Sequence, residues 1–297
     1  TGKQLGIYSC TIAEHVNVSA GDNATSLLLI DVNYKTGLPE TYLLPLTFVR
    51  KQSVNTLLHE FPQSVLAKLK MDGQEGILCD AFYTSFMQLW LFHNLGKNES
   101  LSLKTSTINF NGNGEMEKYI QQHNEVRSRI HTGRYQNNTD IAYDNHFFLK
   151  IYRKVDTGIN PDLEVSQYLS QEVKFKYTPE YLGSIEWLFA KGTFVLAMIQ
   201  RMVENHGDGY SYMKERINNY IERILAARKE LLQRIEYRGT LEQPLLFENL
   251  SAELQDLLGA RASDQSRLIG IRAGELHLAL SGAKEEKAFM PENFSSH

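Results

Sequence analysis

A lysine set inside an apolar run is the first residue that needs an explanation. In Phe147-Phe148-Leu149-Lys150-Ile151-Tyr152 the neighbours read as a buried strand, and an ammonium taken out of water uncompensated is costly. Lys150 therefore needs an anionic partner. Fourteen residues later, Glu164 falls on the first turn of a helix with a well-marked start. Asn160 caps free backbone N–H groups, Pro161 suits the first helical position, and Asp162 complements the positive helix end. A strand lysine held by a helix-borne carboxylate is poised to meet phosphate groups. The competing reading is a lysine on an edge strand reaching solvent, with a glutamate placed by helix-dipole preference.

Other residues could do chemistry but read more simply as structure. His206-Gly207-Asp208 has the form of a catalytic-loop triplet with an aspartate base. The asparagine that should follow five residues on is Met213, and the triplet comes straight after a strand, so Asp208 reads as a hinge-loop or helix-cap residue. His277 lies among Leu276, Leu278 and Leu280 and is expected to be packed or partly buried. Tyr210, Tyr212 and Tyr220 could stack on a sugar, but aromatic residues at helical spacing more often pack. Two cysteines, Cys10 and Cys79, are too few for a disulfide framework or a metal knuckle and read as buried thiols.

Several elements must position these residues. Gly6 to Ile12, Leu27 to Tyr34 and Thr41 to Arg50 read as strands, with a turn at Lys35-Thr36-Gly37. Ser53 to Lys70 has a helix-like pattern, and Asp80 to Leu95 reads as an aromatic-rich helix ended by Gly96. Asn109 to Gly114 reads as a turn or linker. Asn138 to Tyr143 and Phe147 to Tyr152 form a hairpin about Asp144-Asn145. The capped helix runs to about Glu172, followed by strands Tyr181 to Leu188 and Thr193 to Val203. After Gly209 the pattern is helical: Met213, Ile217, Tyr220, Ile221, Ile224, Leu231 and Ile235 share one face. Helices near Ala252 to Leu258 and Ser263 to Leu280 follow, the last closed by Gly282.

Composition narrows the function classes. Of 297 residues, 42% are hydrophobic and 22% charged, and no apolar run reaches the length of a membrane span. The net charge of -4 is spread along the chain, without the basic footprint of a nucleic-acid binder. A small-molecule partner is favoured. Six Asn-x-Ser/Thr sequons, at Asn17, Asn23, Asn98, Asn137, Asn249 and Asn293, are what an Asn-rich chain produces by chance, and no signal peptide opens the sequence. A cytoplasmic location is expected.

The order hairpin, lysine strand, capped helix, further strands, then helices is the layout of a protein-kinase-like small lobe followed by the start of a large lobe. The run Asn138 to Glu164, NTDIAYDNHFFLKIYRKVDTGINPDLE, resembles the maltokinase family, whose SNTS, FFLK and GxNPDLE segments follow one another in this way. Leu196 to Gly209 looks like that family's hinge, Ala273 to Leu280 (AGELHLAL) is similar to its RTAELHLAL helix, and Phe289 to Ser295 resembles its F-x-PE-x-FS segment. Upstream, LLPLTFV (Leu43 to Val49) and GILCDA (Gly76 to Ala81) look like its N-terminal cap. NPDLE placed after FFLK is the most specific element, and the resemblance spans nearly the whole chain.

The resemblance implies an α+β fold in three parts. Residues 1–108 form a β-rich cap subdomain, 109–203 a kinase-like small lobe of antiparallel sheet with one αC-type helix, and 204–297 the helical start of the large lobe. It implies ATP with magnesium as cofactors and maltose as acceptor, giving maltose 1-phosphate, with no nucleic-acid or membrane partner. Family members occur free or fused to a trehalose synthase. Lys150 is expected at the ATP phosphates with Glu164 fixing it. Gln136, Asn137, Asn138 and Thr139 form the phosphate-covering loop, and Gln200, Met202 and Val203 offer backbone groups to adenine. The loop lacks glycines, so its contacts would come from backbone N–H groups and short side chains. The family's HGD-type catalytic loop and D-F-E-G-type metal loop belong beyond His297, so this chain is expected to be catalytically silent. A non-catalytic kinase-like module that regulates or scaffolds a trehalose synthase is the alternative. A carbohydrate-binding domain over residues 1–100 has only Trp90 as an evident stacking platform.

Overall fold

The computed structural model describes residues 6–20, 23–50, 54–131, 137–190, 192–226, 240, 242–282 and 287–290. The chain divides into two compact units, Thr1–Val203 and Glu204–His297. No helix among the described residues is long and apolar enough to cross a membrane.

The first unit is α+β, built on two antiparallel sheets. One takes strands β1 (Ile7–Ala20), β2 (Asn23–Tyr34), β3 (Glu40–Arg50), β4 (Val65–Met71) and β5 (Gln74–Asp80) in the order β1-β2-β3-β5-β4. The short β11 (Lys154–Val155) pairs with β3 in the same sheet. The other sheet contains β6 (Ser100–Ser102), β7 (Ser106–Gly112), β8 (Ser128–His131), β9 (Asn138–Tyr143), β10 (Phe147–Tyr152), β12 (Tyr181–Phe189) and β13 (Gly192–Arg201). Its order is β6-β7-β12-β13-β10-β9-β8. Helix α2 (Ser85–Lys97) contributes Met87, Leu91, Phe92 and Leu95 to one core with Leu29 and Leu43 of the first sheet and Ile141, Leu149 and Trp187 of the second. A smaller cluster of Val49, Val54, Leu57, Ile77 and Cys79 involves helix α1 (Val54–Glu60).

The strand pairs on either side of Lys150 stand where the pattern puts them. The β9–β10 turn places Asp144 and Asn145 at φ 47° and 58°, a left-handed conformation that short polar side chains tolerate. The capped helix α4 (Pro161–Gln167) continues as a π-helical turn through Glu172.

Elsewhere the structure corrects the sequence reading. Ser53 to Lys70 is not one helix, because α1 stops at Glu60 and Val65–Met71 pairs as a strand with β5. The turn between them, Asp72-Gly73, takes φ 50° and 81°, and Asp-Gly is a hairpin signal that the 3.6-residue pattern overrode. Helix α2 begins at Ser85 rather than Asp80, which ends β5 and caps a 3-10 turn by accepting from the Phe82 N–H. Gly96 lies inside the helix, and left-handed Asn98 closes it. A Cβ on Gly96 would meet Ile120 Cδ1 at 2.9 Å, so the glycine serves close packing against α3 (Glu115–Gln122). Asn109 to Gly112 is strand, paired to β12. A Cβ on Gly112 would stand 2.1 Å from the Leu95 carbonyl oxygen, so this glycine too marks close approach rather than a linker. The expected boundary at 108/109 thus falls within β7.

The second unit is helical where described: α5 (Gly209–Ala226), α6 (Ala252–Leu258) and α7 (Ala260–Ser281). Leu231 and Ile235, expected on the α5 face, and residues 291–295 of the F-x-PE-x-FS-like segment lie outside the described residues.

Candidate functional site

Strand β10 buries Phe147, Leu149 and Ile151 at 1% exposure or less, so strand alternation turns Phe148, Lys150 and Tyr152 to the opposite face. Register fixes the neighbours of the lysine: Asp140 of β9 on one side and Met198 of β13 on the other. The same face carries Asn138, opposite Tyr152, and Gln200, opposite Phe148.

Helix α4 presents a carboxylate to this face. Asn160 Oδ1 accepts from the N–H groups of Asp162 (3.0 Å) and Leu163 (3.3 Å), which fixes the first turn. Asp162 Oδ2 then accepts from Lys150 Nζ at 2.6 Å and from the Tyr152 hydroxyl at 2.9 Å. Burial, and next the Asp162 charge, push the Tyr152 hydroxyl well above the ordinary tyrosine range, so Tyr152 stays a donor. The partner of Lys150 is therefore Asp162 and not Glu164. The two acids are separated by two positions, about 200° around a helix, so only one can face the sheet. Glu164 donates its N–H to the Asn160 carbonyl at 3.0 Å.

Asp140 adds a second carboxyl beside the lysine. It is 8% exposed, and burial raises its pKa, while Lys150 and His131 pull it down and Asp162 pushes it up. His131 stands directly across from it on β8.

The remaining expected residues are placed unevenly. Gln136 lies outside the described residues, and Asn137 is exposed just before β9. Thr139 faces the core side, 5% exposed, where its Oγ1 accepts from Arg153 Nε at 2.7 Å. Arg153 also pairs with Asp80 at 2.6 Å, so the Thr139 hydroxyl is committed away from the lysine. Its odd position relative to Asn138 and Asp140 carries the physical reason: adjacent strand residues face opposite ways. Gln200 sits in a strand paired on both sides, so its main chain belongs to the sheet ladder. The Met202 N–H donates to the His146 carbonyl at 2.8 Å, and Val203 is exposed at the end of the first unit. The strand end before them is anchored by Arg201, which bonds Glu115 at 2.5 and 2.7 Å and Glu180 at 3.0 Å.

In the second unit Asp208 caps α5, accepting from the N–H of Ser211 at 2.7 Å and from its hydroxyl at 2.8 Å. These bonds lower its pKa, in keeping with a cap. His277 is exposed rather than packed.

Sequence reasoning missed Asp140, Tyr152 and the role of Asp162. The Asp144-Asn145 turn narrowed the register without fixing it: a two-residue loop would set Thr139 opposite Lys150, and the three-residue loop 144–146 is what brings Asp140 there.

No protein-family model matches the chain. Among solved structures it is similar to "Glucosamine kinase in complex with glucosamine, ADP and inorganic phosphate", with a TM-score of 0.44 and 10% identity over 94% of this chain and 48% of that one. It is also similar to a glucosamine kinase in crystal form A (TM-score 0.45, 11% identity, 92% of this chain and 45% of that one). For crystal form B the values are 0.36 and 11%, over 95% of this chain and 48% of that one. The chain spans about half the length of these structures.

Proposed function

We propose that the first unit is the nucleotide-side lobe of a sugar phosphotransferase, binding ATP on the face that carries Lys150. One observation carries the reading: an ammonium on a sheet whose other face is core, held at 2.6 Å by a carboxylate on a capped helix. Strands β8, β9, β10, β13 and β12 lie side by side in that order, and the chain leaves β13 through Met202 and Val203 as a hinge between lobes would. Lys150 would contact the phosphates, Asp162 and Tyr152 would keep it extended towards them, and Asn138 would stand at the loop side of the same face.

The finer reading rests on the maltokinase-like segments: phosphoryl transfer from ATP to the anomeric hydroxyl of maltose, in a protein free or joined to a trehalose synthase. Magnesium bound with ATP would neutralise phosphate charge. Among the described residues no group of three or more His, Cys, Asp or Glu is placed to hold a metal ion, so no ligand is assigned to it, and no catalytic base is assigned either.

Calorimetric titration with ADP and magnesium tests the nucleotide role. The wild-type chain should bind, and Lys150→Met should lose at least ~10-fold in affinity, the scale of one charge-assisted contact, while remaining folded by circular dichroism. Equal affinity in the two proteins, or no binding by the wild type, would remove the reading.

A further inference from the structure

We propose that Asp140 is a specificity-determining residue of the lysine site: it disfavours a bare di- or triphosphate and tolerates the same anion carried with a divalent cation. The proposal rests on the nucleotide reading of Lys150 and adds the form in which the ligand is accepted.

The geometry starts from register. Asp140 and Lys150 are directly opposed on antiparallel strands, a pairing that sets their Cβ atoms about 4.5–5.5 Å apart on one face. Asp162 reaches the same ammonium from α4. Lys150 is therefore approached by one carboxyl from the sheet and another from the helix. The other titratable groups facing Asp140 are His131 on β8 and Tyr152, two residues along β10 on the same side.

For a phosphate charge on Lys150 at a separation of about 6 Å from the Asp140 carboxylate, Coulomb repulsion would span roughly threefold to a hundredfold in affinity as the effective dielectric falls from 80 to 20. Asp140 is 8% exposed, so solvent screens this repulsion poorly. A cation travelling with the phosphates offsets it. Protonation of Asp140 offsets it as well, and burial already raises the carboxyl towards the neutral form.

Calorimetry with ADP as the probe, once with magnesium and once with EDTA, separates the outcomes. Asp140→Asn should strengthen binding of bare ADP at least ~5-fold and change binding of the magnesium complex less than ~2-fold. Bare-ADP affinity of the wild type should rise more steeply as pH falls than that of Asp140→Asn, since only the wild type retains a carboxyl that burial raises towards the neutral form. Asp140→Ser is the second variant should the amide impair folding. If the wild type binds ADP and neither variant alters the ratio between the two forms, the role of Asp140 is refuted and the nucleotide reading stands. Absence of binding in either form, by wild type and variants alike, overturns both.

Discussion

The pairing of Lys150 with Asp162 rather than Glu164 can be measured with two double-mutant cycles. The perturbations are Lys150→Met, Asp162→Asn and Glu164→Gln, singly and in the two lysine–acid combinations. At the observed 2.6 Å the Coulomb energy of a unit pair is about 1.6 kcal/mol at the dielectric of water and about 6 kcal/mol at an effective value of 20. The side chains are 30% and 42% exposed, so desolvation and side-chain ordering cancel much of that attraction. Exposed pairs in general retain about 0.2–1 kcal/mol. The hydrogen bond from Tyr152 to the same oxygen fixes the carboxylate beforehand and puts this pair at the upper end. The expected coupling from urea denaturation is about 1 kcal/mol for Lys150–Asp162 and within about 0.3 kcal/mol of zero for Lys150–Glu164. Adding Tyr152→Phe should reduce the first value and leave the second alone. A Glu164 coupling equal to or larger than that of Asp162 would refute the placement of α4 against the sheet, because a helix cannot turn both acids to the same side.

Three further outcomes follow from the core and the surface. Arg153→Met strips the partner from Asp80, whose side chain is 12% exposed, and should lower unfolding free energy by about 3 kcal/mol; a loss below about 1 kcal/mol in urea denaturation would contradict the buried bridge. Gly112→Ala sets a Cβ 2.1 Å from the Leu95 carbonyl oxygen and should destabilise by about 2 kcal/mol or more, read as a drop in thermal midpoint. Glu40 has its pKa lowered to about 2 by hydrogen bonds from Tyr42, Tyr34 and Lys154. Because the folded value lies below the unfolded one, its stabilisation is complete above about pH 4.5 and fades as pH falls towards 2; an NMR titration of its carboxyl with a midpoint near 4.5 would overturn this.

The legible parts of the fold were those with short-range physical signals. The strand pair around Asp144-Asn145, the Asn160-Pro161 helix start and the Asp208 cap all depend on a few adjacent residues, and each stands where those residues put it. Val65–Met71 shows the opposite case. Its Leu-Ala-Lys-Leu-Lys run has good helix formers, yet β5 beside it offers a partner, and tertiary pairing overrides local propensity. The glycines misled for a related reason. Gly96 and Gly112 look like punctuation in one dimension, whereas in three they are the points where a Cβ would collide with Ile120 or with the Leu95 carbonyl. Nothing in the local sequence separates a glycine that frees the backbone from one that lets two elements touch.

The site was legible in kind and not in detail for the same reason. That Lys150 needs a carboxylate follows from the cost of burying an ammonium, and that the carboxylate comes from the capped helix follows from chain order. Which acid serves depends on the azimuth of α4, and that is set by packing: with Leu163 packed against the core, the residue before it reaches Lys150 and Tyr152 on the sheet. Leu163 thus turns Asp162 to the sheet in place of Glu164, the acid that the sequence pattern singled out. A polar residue at position 163 would free the helix to rotate, and Leu163→Gln should bring the Lys150–Asp162 coupling down towards zero along with stability, whereas Glu164→Gln should change neither. A cycle in which Leu163→Gln costs stability but leaves the full coupling intact would show that the Asn160 cap alone sets the azimuth.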